Sequence, residues 1–481
     1  MARPNILIFM TDHQRADSAL PEHPAITPNL DRLGREGVVF ENTFCPSPHC
    51  CPSRATFFTG LYPSGHGVWN NVCNRQALSS GLKEGVRTWS EDLAGAGYGM
   101  HFSGKWHVSV DESPADRGWR EHFVSGAAGT HHGARWDHYG RLAGEPEATE
   151  RGEGEILRPG YGTYRLYGTG GEEGNGHDET AVAKGLEVLE SLAEGDRPWC
   201  LYVGAVGPHD PYVVPQRYLD LYDLDDVPLP PSYVDTLADK PAVYQRMREM
   251  RFGQLSEREV REGIRHFWAY CTYLDDLFGR LLDALERTGQ AENTLVLYCS
   301  DHGDYCGEHG LFAKGIPCFQ GAYHVPAVVR WPSTLRDPGR RVSAYVSLAD
   351  FAPTLIEAAG LAAHRRFTGA SLLPFLRGET PAEPRDEIHT QCNGVELYYT
   401  QRSVMTREYK YVFNGFDWDE LYDLRVDPHE MRNVARDPAY EGVVREMCGR
   451  MWRFAFREDD TAINPYITVS LAPYGPAQAF R

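Results

Sequence analysis

Three apolar runs, each ending in a polar cluster, constrain what this chain can fold into. Residues 5–10, 198–206 and 294–299 are nearly continuous in Ile, Leu, Val, Phe, Tyr and other apolar types. A strand buried on both faces reads this way, and such strands belong to parallel sheets covered by helices. Between the second and third runs, Ile264, Phe267, Trp268, Cys271, Leu274, Leu277, Leu281 and Leu285 recur at helical spacing, which predicts a long amphipathic helix. Thr27 and Pro28 predict another helix, as its cap and its first residue. Strand, helix, strand in this order predicts a parallel α/β sheet.

The rest of the chain is organised around that sheet. Residues 119–178 are rich in Gly, His, Arg, Tyr and Glu with weak periodicity, and read as long loops over one sheet end. A linker is expected near residues 378–384. Strand-like segments at 395–402, 409–413 and 419–424, followed by a helix, predict a small antiparallel subdomain. At 481 residues the chain exceeds what one growing core supports, so residues 1–378 are expected to form the main domain and 379–481 a smaller one.

Composition excludes several classes of partner. The formal net charge of −19 argues against nucleic acid and anionic membranes, and no run approaches the ~20 apolar residues of a membrane span. Residues 5–10 are too short for a secretory apolar region and lead into Thr11, Asp12 and His13, so a cytoplasmic protein is expected. Eleven cysteines, an odd number, do not read as a disulfide framework. Each Cys is therefore interpreted from its neighbours.

The chemistry starts at Cys50-Cys51-Pro52-Ser53-Arg54-Ala55-Thr56-Phe57-Phe58-Thr59-Gly60. Pro52 suits a first helical turn, which sets Cys50 at a helix N-terminus where backbone N–H groups favour an anion. Arg54 adds a fixed positive charge, and a Cys so placed has a depressed pKa. Polar clusters follow the apolar runs: Thr11-Asp12-His13-Gln14, Gly207-Pro208-His209-Asp210-Pro211 and Ser300-Asp301-His302-Gly303-Asp304. In open α/β sheets the carboxyl ends of strands carry the ligands, so these clusters can converge. Lys105 and His107, in Gly104-Lys105-Trp106-His107, share one side if the segment is extended.

These strings resemble the sulfatase family of the alkaline phosphatase superfamily. The first matches its Cys-x-Pro-Ser-Arg signature and the following Leu-Thr-Gly, with Phe58 in place of Leu. Pro and Arg at +2 and +4 select Cys50 rather than Cys51. The resemblance implies that a formylglycine-generating enzyme oxidises Cys50 to formylglycine, whose hydrate is the nucleophile. It implies a large, mostly parallel sheet sandwiched by helices, with a smaller C-terminal α+β subdomain. It assigns one divalent metal to Asp12, Asp301, His302 and residue 50, with His13 where the family has Asp, Asn or Gln. Family precedent puts Ca²⁺ first, although two imidazoles suit Mn²⁺ or Zn²⁺ better; alternatively, His13 turns away to a backbone carbonyl. Arg54, Lys105, His107, His209 and Lys314 complete the implied site, with Lys105, His107 and Lys314 on the sulfate and residue 50, and His209 on the ester oxygen.

The implied activity is hydrolysis of a sulfate ester of a carbohydrate, aryl or alkyl alcohol. The first alternative is a phosphonate monoester or phosphodiester hydrolase of the same superfamily, against which Lys105 and His107 together speak. A sulfamidase and a non-catalytic metal-binding homologue rank lower. Trp136, His138, Tyr139, Tyr161, Tyr164 and Tyr167 either stack on the substrate or form the loop's own core. Residues 464–481 form either a tail or a cover over a neighbouring subunit's site in a homo-oligomer.

Overall fold

The computed structural model describes residues 3–481 apart from 127–135, 147, 173, 382–383, 395–396, 462 and 464–465. The three apolar runs are its central strands. β1 (Asn5–Thr11) lies between β5 (Trp199–Gly204) and β6 (Thr294–Ser300), parallel to both. Every residue of β5 and β6 is buried. β3 (Gly99–Lys105) and β4 (Arg120–Ser125) extend the sheet beyond β5, also in parallel. On the other side β6 pairs antiparallel with β8 (Ala327–Arg330), and β2 (Val38–Phe44) accepts β8 and β7 (His324–Val325) along one edge and β9 (Arg340–Ser347) along the other. The sheet is therefore mixed and mostly parallel.

Helices flank it. α1 (Pro28–Glu36), α4 (Gly176–Ser191) and α5 (Glu257–Arg287) pack against strands and one another. α2 (Cys50–Thr59), α3 (Trp89–Gly95) and α6 (Phe351–Ala358) form a second packed group. The long helix expected from residues 264–285 starts earlier, at Glu257, where Ser256 and Glu259 make a capping box. Thr27 contributes no side-chain cap to α1. The Asp275 carboxylate of α5 does so instead, accepting the N–H groups of Asn29 and Leu30 at 3.0 and 2.8 Å. A distant acid thus satisfies the orphan donors that a local Thr would have capped.

Residues 119–178 are more ordered than long loops. They supply β4, a hairpin of Glu155–Arg158 with Gly162–Arg165, the strand Tyr167–Gly170 and the start of α4. Residues 127–135 lie outside the described set, as do 382–383 of the expected linker and 464–465 of the expected tail. The rest of the tail contains two short helical segments, Ile467–Leu471 and Pro476–Phe480.

A second, antiparallel sheet runs in the order β10 (Glu387–Cys392), β11 (Gln401–Thr406), β12 (Tyr409–Asn414) and β13 (Glu420–Asp423), covered by α7 (Glu441–Arg457). The expected strand at 395–402 starts only at Gln401; residues 395–396 lie outside the described set. β10 carries no clear signal because its Glu387, His389, Thr390 and Gln391 are polar yet mostly buried.

This sheet grips a loop of the first. Gln401 Nε2 donates to Ile316 O at 3.2 Å, Lys410 Nζ meets Cys318 O and Glu430, and Glu430 accepts Gln320 N–H at 2.8 Å. Among the described residues no helix is long and apolar enough to cross a membrane.

Candidate active site

Strand ends bring the polar clusters together. Asp12 N–H donates to Gly207 O at 2.9 Å and Asp301 N–H to Thr11 O at 3.2 Å, so the turns after β1, β5 and β6 interlock. Cys50 opens α2 after His49, whose backbone is extended, and is 1% exposed. Its Sγ lies 3.3 Å from His302 Nε2, 3.6 Å from Asp12 Oδ1 and 3.2 Å from Lys314 Nζ. Burial alone would raise this thiol's pKa. Lys105, Lys314, His302 and a hydrogen bond from His107 outweigh it and hold the group well below its ordinary value.

Arg54 is fully buried and does not point at Cys50. Its Nε donates to Asp301 at 2.7 Å, Nη2 to Asp12 at 3.3 Å, and Nη1 to Lys105 O and Tyr202 OH at 3.0 and 2.9 Å. It therefore fixes two carboxylates and the end of β3. Lys105 Nζ also meets Asp12 Oδ2. Burial and the Cys50 thiolate raise the Asp12 carboxyl, yet Lys105, His209 and Arg54 bring it below the usual range.

Lys105 and His107 converge by a turn rather than by strand alternation. β3 stops at Lys105, Gly104 has φ +115 with Gly204 O tight behind it, and His107 has φ 57. A side chain on Gly104 would collide with that carbonyl, so the turn requires Gly. His107 Nε2 then sits 2.7 Å from Cys73 Sγ.

Lys314 reaches the centre of the cluster. Its Nζ is 3.1 Å from His302 Nε2 and 3.2 Å from His209 Nε2, and it also touches His13 Nε2. His13 does not turn to a backbone carbonyl: its Nδ1 meets Asp304 Oδ2 at 2.9 Å. Burial and the neighbouring His209 and Lys314 push this imidazole well below its ordinary pKa, to the neutral form. His209 Nδ1 faces its neighbour Asp210, 2.6 Å from the backbone O and 3.2 Å from Oδ1.

Several contributors escaped the sequence reading. Asp304 accepts from Tyr212 OH at 2.7 Å, and Tyr164 OH binds Asp210. Asp304 and Asp210 stood inside the polar clusters and were findable there. Cys73 carried no signal. His49 is fully buried beside Cys50 and neither ring nitrogen has a hydrogen-bond partner among the described residues. Of the aromatic loop residues only Tyr164 touches a site residue. Trp136, Tyr139 and Tyr161 stack on one another, His138 packs on Tyr139, and Tyr167 is buried.

A family model described as Sulfatase matches residues 4–361. The chain belongs to the sulfatase family. It is a sulfuric ester hydrolase of the alkaline phosphatase superfamily. A second description, N-sulphoglucosamine sulphohydrolase C-terminal, matches residues 307–456 of this sulfatase. It is 31% identical to a choline-sulfatase of Rhizobium meliloti over 91% of its own length and 83% of the relative's. Its fold is similar to a chain solved with its substrate D-glucosamine-2-N,6-O-disulfate (TM-score 0.74, 22% identical, 97% and 99% covered). It is equally similar to a phosphonate monoester hydrolase of Agrobacterium radiobacter (TM-score 0.75, 24% identical, 95% and 96% covered).

The family implies a divalent metal and a formylglycine made from Cys, and the donor set of this sulfatase fits the metal. Asp12, Cys50, Asp301 and His302, all buried, each offer a ligand atom within 4.8 Å of the others. His302 Nδ1 faces Gly303 O at 2.9 Å. Only a protonated nitrogen suits that contact, which leaves Nε2 as the acceptor turned inward. Burial and Asp12 raise the Asp301 carboxyl, a repulsion that a divalent ion between the two would remove. His13 stands outside this four-residue group and joins Asp12 and His209 instead.

Proposed function

We propose that this sulfatase cleaves the sulfate ester of a small alcohol or sugar at residue 50, converted from Cys50 to formylglycine, beside one ion held by Asp12, Asp301, His302 and residue 50. One observation carries the reading: Lys314 Nζ stands 3.2 Å from both Cys50 Sγ and His209 Nε2. Nucleophile position, anion clamp and proton donor therefore meet at one point. Cys50 Sγ stands in for the hydrate oxygen of the converted residue.

As a hydrate, residue 50 supplies one hydroxyl that attacks sulfur and a second through which the sulfate ester collapses to aldehyde and inorganic sulfate. The ion, when bound, supplies Lewis-acid stabilisation of the oxygens it touches. Lys105 and Lys314 neutralise charge that grows on the sulfate oxygens. His209, with Asp210 behind it, gives a proton to the leaving oxygen. His107 faces residue 50 and receives the proton of the second hydroxyl. Arg54 holds Asp12 and Asp301 in place.

With His13 outside the four-residue group, the donors are two carboxylates, one imidazole and the oxygen of residue 50. This oxygen-rich set favours a hard ion, Ca²⁺ first and Mn²⁺ next. The leaving group enters a cavity of about 410 Å³ lined by Lys105, Asn175, His209, Asp210, Val213 and Tyr270, a size suited to one sugar ring or a small alcohol. The choline-sulfatase relative and the sulfated-glucosamine complex support those two classes.

We read residues 1–378 as the catalytic unit and 379–481 as its support. We place the enzyme in the cytoplasm, supported by eleven cysteines that are all free, with a formylglycine-generating enzyme as its maturation partner.

Peptide mass spectrometry tests the nucleophile: conversion lowers the mass of the Cys50 peptide by about 18 Da, from loss of sulfur and gain of oxygen on the oxidised carbon. Full activity with unconverted Cys50 refutes the mechanism. A panel of sugar sulfates, choline sulfate, aryl sulfate and aryl phosphonate monoester tests the reaction, and dominant phosphonate turnover reassigns it.

A further inference from the structure

Behind residue 50 lies a second cluster that the sulfatase chemistry does not use. Cys51 is the next residue of α2, with its N–H on Asn71 Oδ1 at 3.1 Å. That contact draws the turn at residues 71–74 against the helix. Cys73 then hydrogen-bonds Cys51 and places its Sγ 2.7 Å from His107 Nε2. Two sulfurs and one imidazole nitrogen lie within 4.8 Å of one another, at 0%, 3% and 7% exposure.

The donor chemistry differs from that of the neighbouring centre. Asp12, Asp301 and His302 are mainly hard oxygen donors, whereas two thiols and an imidazole are the ligand set of Zn²⁺. Hydrogen bonding already aims all three groups at one another, so a bound ion would replace S–H and N–H contacts rather than open a packed core. The set offers three protein ligands, which leaves a fourth tetrahedral position for water.

We propose that Cys51, Cys73 and His107 form a second metal site, specific for Zn²⁺-like thiophilic ions, and that its occupation inhibits the enzyme. Binding converts two neutral thiols to thiolates and releases two protons per ion; nothing is oxidised or reduced. The inhibitory half rests on the proposed role of His107, whose ring is shared with residue 50. An ion on Nε2 pins that ring and ends its exchange of a proton. The binding half stands without that reading.

The experiment uses the converted enzyme carrying its resident divalent ion, with a phosphine reductant present to exclude disulfides. Co²⁺ serves as the spectroscopic probe and Zn²⁺ as the inhibitor. The expected result is one further equivalent of ion, a thiolate-to-Co²⁺ charge-transfer band in the near ultraviolet, and release of about two protons per Zn²⁺. Cys51→Ala changes a position at which the family signature accepts any residue. It is expected to keep activity in the absence of Zn²⁺, abolish the band and raise the inhibitory Zn²⁺ concentration at least about tenfold, the effect of losing roughly 1.4 kcal/mol of binding. Cys73→Ser is the second arm should Cys51→Ala fail to mature. Absence of the band and of a second equivalent in the parent enzyme overturns the proposal, as does equal Co²⁺ binding in both variants. A band without inhibition overturns the inhibitory half and the role given to His107, while leaving the site standing.

Discussion

Replacing Lys105 by Ala separates two tasks that the structure gives one ammonium group. Lys105 Nζ contacts Asp12 Oδ2 and lines the cavity that His209 also borders. Loss of one donor aimed at charge developing in a transition state costs about 3 kcal/mol, two to three decades in rate. Lys105→Ala is therefore expected to lower kcat/KM for an aryl sulfate by roughly 10²–10³-fold. The second task is structural. Breaking a buried ion pair leaves a stranded charge at a cost of about 3–5 kcal/mol. Here Arg54 Nη2 still reaches Asp12 at 3.3 Å, and a bound divalent ion compensates the same carboxylate. The loss should be about 1–2 kcal/mol in the metal-loaded enzyme and about 3–4 kcal/mol after chelation. Unfolding entropy of about 2.1 cal/mol/K per residue makes each kcal/mol worth roughly 1 °C at this length. Scanning calorimetry with and without metal should then show Tm falling about twice as far in the stripped variant. A kcat/KM within tenfold of the parent removes Lys105 from the sulfate, and equal Tm losses in both states refute its role as the counter-charge of Asp12.

Three further outcomes follow from other contacts. His209→Ala is expected to slow alkyl sulfates by about 10²–10⁴-fold and nitrophenyl sulfate far less, because that leaving oxygen needs no proton; equal losses on both substrates exclude His209 as the acid. Asp304→Asn loosens His13, which Asp304 holds at 2.9 Å, and should lower kcat/KM about tenfold with metal affinity unchanged. A 10–100-fold fall in metal affinity, typical of disturbed support behind a ligand, would instead make His13 a ligand. Burial pushes the Asp275 carboxyl up to about 7 against the N–H donors of Asn29 and Leu30. Such a group stabilises the fold fully below its unfolded value of about 3.9 and loses that contribution as pH rises through about 7. Asp275→Asn should flatten the fall in Tm between pH 5 and 8, and parallel Tm–pH curves for parent and variant would refute the assignment.

The parts legible in the sequence are those with one dominant local cause. Residues 5–10, 198–206 and 294–299 had to be buried parallel strands because nothing else accepts so continuous an apolar run. Asp12, Asp301 and His302 could be grouped because strand ends share one rim of the sheet. What was hidden depends on contacts between distant segments. No local rule nominates Asp275 to cap α1 in place of Thr27, since the two are brought together only by helix packing. β10 was missed because its buried polar residues are satisfied by partners far along the chain, such as Gln391 with Ser64 and Asp460. The alternation argument for Lys105 and His107 reached the correct pair through the wrong geometry, because Gly104 ends the strand in a turn. Phe58 reads as a departure from the signature until its ring is seen packed between Trp89 and Trp106, at 5.8 and 4.9 Å.

The grip of the second sheet on the loop after Lys314 sets a clock on biosynthesis. That loop is tied down by Gln401, Lys410 and Glu430, so the lysine cannot take its final position until those residues have left the ribosome. Cys50 emerges several hundred residues earlier. At roughly 5–20 residues per second, tens of seconds separate the two events. Through that interval the thiol destined for the interior remains reachable, and once the last strands dock it is sealed at 1% exposure. The late sheet thus ends the period in which the nascent chain can still acquire its nucleophile.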